Sequence, residues 1–235
     1  MVMIHERIKE IVDSLGQSLK ATNVELVDGK LKVYLCCTSF IAPCSVVKIN
    51  DAEFEVLDVK TDEYIILDTN TLIALPFNVV IEAPFFFHGT VTNTATEVGR
   101  ISSCDEKYPM IYLYEPILEE YKNIRERVDY EAELTLFFLD ETNFKDWVNE
   151  EHYKYSISAM RKLIALFVEA INKKVSVFGE VETYKIINHS KMGIDLGENP
   201  KLGHLKNLFP NFTSGCELII NLQFLKTNSC KKCTC

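Results

Sequence analysis

Ile4, Ile8, Ile11, Val12, Leu15 and Leu19 recur at steps of three and four. That spacing predicts an amphipathic helix over residues 3–19, because 3.6 residues per turn bring such positions onto one face. The pattern then shortens to a period near two. "NVELVDGKLKVYLCC" reads as two strands around Asp28-Gly29, a dipeptide suited to tight hairpin turns that need positive φ. "SVVKINDAEFEVLDVKTDEYIILD" continues as short strands with turns at Asn50-Asp51 and Thr61-Asp62, and "NVVIEA" closes the set before Pro84. Strands so closely spaced predict a small barrel or sandwich.

Beyond Pro84, "HGTVTNTATEVGRISS" reads as a loop entering a short helix, with Thr92 or Asn93 as its N-cap. "YPMIYLYEP" (Tyr108–Pro116) and "YEAELTLFFLD" (Tyr130–Asp140) read as strands, the first nearly continuously apolar, as a central strand should be. Tyr153, Ile157, Met160, Ile164, Phe167 and Ile171 step by four and three, predicting a long helix over about 144–173. Another extended stretch follows, with Gly179 as a bend. In "CELIINLQFLK", Leu218, Ile220, Leu222 and Phe224 share one face of a last strand.

The expected fold is α+β: a small antiparallel or mixed sheet with helices packed on one face, plus an inserted small β-barrel or sandwich-like subdomain. Residues 1–21 supply the first helix of the main domain and 22–84 the insertion. Residues 85–226 complete the main domain, and 227–235 form a cysteine-rich tail.

Composition narrows the function. Hydrophobic residues make up 47% and charged residues 25% of the 235, which is globular rather than disordered. A net charge of −9 argues against a dominant surface for nucleic-acid backbone. The start turns amphipathic at once, and no apolar run approaches the ~18 residues of a membrane span. A soluble cytosolic chain is therefore expected, its eight cysteines mostly reduced.

The reactive side chains are scattered. Cys230, Cys233 and Cys235 in the terminal "SCKKCTC" offer three thiolates where tetrahedral zinc needs four ligands. Cys36, Cys37 and Cys44 read as small core thiols. His5, His88, His152, His189 and His204 form no ligand pair. Glu150, Glu151 and His152 fan over about 200° of a helix and cannot converge on one atom. Phosphate loops, a nucleophile elbow and an aromatic-basic stripe for single strands are missing from the sequence pattern. No catalytic residue, metal or cofactor is assigned.

Five segments, taken in order, do carry a resemblance: "FHGTVTNTATEVGRIS", "KYPMIYLYEP", "ELTLFFLDETNFKDW" with "YSISAMRKLIALFVEAI", and "LFPNFTSGCELIINLQF". Over about 85–226 the chain resembles tail-terminator, tail-completion and neck proteins of tailed bacteriophages, especially the crAss-like and other phages of Bacteroidales. The resemblance implies a small sheet with helices on one side. It also implies a non-catalytic virion protein of the head–tail connector, assembled in the bacterial host cytoplasm. Such a subunit would close a six- or twelvefold homo-oligomeric ring against adjacent portal, connector or tail proteins. DNA would pass through the lumen as cargo only, with no membrane involved. Subunit contacts are then expected on loops, at Thr92, Asn93, Thr94 and Glu97, at Asn199, Lys201 and His204, and at the hairpin tips of the insertion. Two rival readings remain: a small metal- or thiol-dependent enzyme or redox module using the terminal cysteines, and a host protein-binding module built on 22–84.

Overall fold

A computed structural model describes residues 3–90, 100, 108–121, 128–142, 147–174, 177–192 and 213–225. The architecture is mixed α/β and mostly sheet, with few helices: a closed six-stranded barrel stands beside a six-stranded mixed sheet.

Helix α1 (Ile4–Val12) is shorter than its periodicity predicts. Ile4, Ile8, Ile11 and Val12 are buried on one face as expected. Leu19, however, belongs to strand β1 (Gln17–Val27), where it pairs with Val79. The break falls at Gly16, where an added Cβ would lie 3.3 Å from the Ile81 carbonyl oxygen and the Ala83 nitrogen. The chain enters and leaves the barrel there, back to back.

The barrel runs β1–β2–β5–β4–β3–β6, with β2 (Lys30–Leu35), β3 (Val46–Ile49), β4 (Ala52–Lys60), β5 (Tyr64–Leu67) and β6 (Asn78–Ile81). Closure depends on β1, whose first half pairs with β6 and whose second half pairs with β2. An irregularity between Ala21 and Asn23 gives it the bend. The hairpin turns read from sequence are present: Asp28 and Gly29, then Asn50 and Asp51, all have positive φ. Alternate residues such as Leu31, Val33, Ile65 and Leu67 fill the barrel interior.

The sheet has the order β11–β12–β10–β8–β7. Its strands are β7 (Phe85–Gly89), β8 (Met110–Tyr114), β10 (Val128–Glu141), β11 (Tyr184–Met192) and β12 (Thr213–Leu225); β9 (Leu118–Tyr121) also pairs with β10. All pairs are antiparallel except β7 with β8. Strand β7 was not foreseen, because three consecutive phenylalanines carry no alternation. Leu218, Ile220, Leu222 and Phe224 do share the buried face of β12.

Before the sheet's last strands comes a composite helix: α2 (Asn149–Glu151), a π-helical turn (His152–Ile157) and α3 (Ser158–Lys173). Met160, Leu163, Ile164, Phe167 and Ile171 are fully buried against the sheet and join the barrel interior in one continuous core. Each such side chain contributes about 1.5–3 kcal/mol of burial. Tyr153, first in the predicted stripe, is 49% exposed. The π turn shifts the inward face by one position, so His152 and Ser156 point inward instead.

Candidate functional site

The loop positions expected to make subunit contacts, Thr92, Asn93, Thr94, Glu97, Asn199, Lys201 and His204, lie outside the described residues, as do Cys230, Cys233 and Cys235. Among the described residues, no three His, Cys, Asp or Glu side chains converge as a metal site would require. Cys36, Cys37 and Cys44 correct the sequence reading, for they are exposed rather than buried. Strand β2 ends at Leu35, so the pair falls in the connection between β2 and β3 of the barrel. Cys216 is the buried thiol among the described residues. Burial pushes its pKa up to about 11, with Arg161 offsetting part of the rise, which leaves it protonated and unreactive at neutral pH.

Folding does join side chains that sequence spacing leaves apart. At the end of β10 and β12, under the π turn, lie Asp140, Thr142, His152, Ser156 and Ser214, all buried. His152 Nδ1 is 3.0 Å from Ser214 Oγ, and the Ser214 hydroxyl donates to the Ser190 carbonyl at 2.7 Å. A carbonyl only accepts, so the single hydroxyl proton is committed there, and His152 must donate through Nδ1–H. A nucleophilic serine needs the reverse direction, with the hydroxyl donating to the imidazole. The pair is a structural relay that fastens the π turn to the sheet. Glu151, its neighbour in sequence, turns the other way and accepts from the Val148 N–H at 2.7 Å, capping the helix.

Asp140 has no relay partner: its Oδ2 makes no hydrogen bond among the described residues. Burial pushes its pKa up to about 7, only partly offset by a backbone hydrogen bond from Glu141, whose own charge pushes the same way.

Two surface features with binding character lie at the two ends of the sheet. A groove of about 1060 Å³ runs between α1 and β7, lined by Phe85–Phe87 and by the carboxylates of Glu6, Glu10, Asp13 and Glu115. His5 stacks on His88 at one side, ring centroids 4.0 Å apart and 3° from parallel. At the far end, β11 pairs among the described residues only with β12. Tyr184 and Ile187 on it are 41% and 44% exposed. Reading the sequence named loop residues as contacts and did not identify β7 and β11 as the strands at the ends of the sheet. Its usable signal was the run "YKIIN" in a strand with lysines and no acid.

No protein-family model and no curated protein matches the chain. No helix among the described residues is long and apolar enough to cross a membrane.

Proposed function

We propose that the chain is a structural, non-catalytic subunit of a ring in the head–tail connector of a tailed phage, working by shape and contact. The observation that carries the reading is one sheet whose end strands, β7 and β11, each pair with a single strand among the described residues. Unpaired strand edges template pairing with another chain, and soluble monomers normally blunt them with charge, proline or a cover. Two different patches on opposite ends of a subunit are what head-to-tail ring closure requires. Helices α1 and α3 share one core with that sheet, which supports the resemblance noted from the sequence. A net charge of −9 suits a lumen through which DNA slides without adhering. Portal-side and tail-side proteins would dock on the ring's two faces.

Negative-stain electron microscopy of the purified chain, alone and mixed with candidate portal and tail proteins, tests this reading. Closed rings of one size support it. Monomeric particles in every mixture refute it.

A further inference from the structure

Among the described residues, the two end strands of the sheet match one another. Following the pairings across the sheet, Ile187 lies opposite Glu217, Glu217 opposite Phe137, Phe137 opposite Tyr112 and Tyr112 opposite Phe87. The adjacent rows run Asn188–Cys216–Phe138–Ile111–Phe86 and Ile186–Leu218–Leu136–Leu113–His88. Strands β7 and β11 therefore sit at one height. They also run in opposite directions, because β11 is parallel to β10 while β7 is antiparallel to it. A second copy set beside the first, with no sliding along the strands, brings its β11 antiparallel to β7. Side chains then fall on matching faces, since one residue's offset would swap the faces and zero offset keeps them.

We propose that β11 of one copy adds to β7 of the next, seated along the groove beside α1, so that one sheet continues from subunit to subunit. This rests on the ring reading and names its contact and its partner, a second copy of this chain. In this register Ile187 meets Phe87, an apolar pair on the face away from the helices. On the helix side, exposed Arg161, bonded to Asn188 at 3.1 Å, comes toward the next copy's α1. Glu6 and Glu10 line the groove there, while Asp13 is already paired with Lys9 at 2.7 Å. Strand β11 itself contains two lysines and no acid. On the helix side, Arg161 facing Glu6 and Glu10 favours this groove over a second β11, which offers lysines and no acid.

The test places the photo-reactive amino acid p-benzoylphenylalanine at Ile187 of the full chain, irradiates it and maps the cross-linked peptides. Within one chain, positions 187 and 87 are four strand spacings apart, about 19 Å, so a link between them has to join two copies. Links to 85–89 are the expected result. An oligomer whose links map elsewhere, including β11 to β11, overturns the strand pairing and leaves the ring reading standing. A chain that stays monomeric at tens of micromolar, alone and in every mixture with portal and tail proteins, overturns both. Ile187→Glu changes an exposed side chain, so the fold should survive, and assembly should weaken at least tenfold. Unchanged assembly in that variant also counts against the pairing.

Discussion

Replacing Asp140 by Asn isolates one buried charge and yields a signed, pH-dependent result. Folding raises the Asp140 pKa from 3.8 to about 7, so the folded state favours the protonated form. Its contribution is most favourable below the unfolded pKa. It is eroded as pH rises from about 4 to 7, and is flat above. Such a rise corresponds to roughly 4 kcal/mol of destabilisation at pH 8, more than half of which develops between pH 5 and pH 8. Asp140→Asn keeps the shape and removes the titration. The variant should be more stable than the parent at pH 8, by a margin that shrinks as pH falls to 5. Urea denaturation at several pH values reads this difference directly. The single tryptophan, Trp147, is a suitable probe, its ring 5.5 Å from His152 beside the same pocket. A margin independent of pH would refute the reasoning. So would a variant less stable at pH 8, since that would mean a cation holds the carboxylate ionised.

Four further expectations follow from packing and exposure. Gly215→Ala would drive a Cβ into the carbonyl oxygen of Phe138 on the neighbouring strand, and thermal melts should show a loss of about 3 kcal/mol or more. Ser214→Ala leaves the Ser190 carbonyl and His152 Nδ1 without their present partner, and should cost about 1–3 kcal/mol in urea melts without altering assembly. Lys162 bonds Asp62 at 2.6 Å, tying a barrel hairpin to α3. This ion pair, chiefly, lowers the Asp62 pKa, so its stabilisation is present above about pH 4 and lost as pH falls through the folded value. Lys162→Ala should cost under about 1 kcal/mol at pH 7 and nothing in strong acid. Brief alkylation of the native protein, mapped by peptide mass spectrometry, should label Cys36, Cys37 and Cys44 well before Cys216.

The elements legible in the sequence were those governed by local periodicity. The barrel hairpins declared themselves through Asp28-Gly29 and Asn50-Asp51, and β12 through strict alternation from Leu218 to Phe224. Helix α1 was overrun because Leu15 and Leu19 keep a helical spacing while the close approach at Gly16 forces the chain into a strand. Tertiary contact won over local pattern there. The π turn was hidden for a similar reason: Tyr153 fits the 3.6 period, and only the polar pocket under His152 and Ser156 explains why the face shifts. That pocket joins residues more than sixty positions apart. The two sheet edges are invisible to any motif, since being an edge is a property of topology.

Native mass spectrometry of the full chain at micromolar concentration tests the central claim most directly, because one spectrum counts subunits and bound metal together. A ring subunit should give a closed, metal-free homo-oligomer of a single stoichiometry, six or twelve. A monomer carrying one zinc per chain would contradict it and return the chemistry to the terminal cysteines.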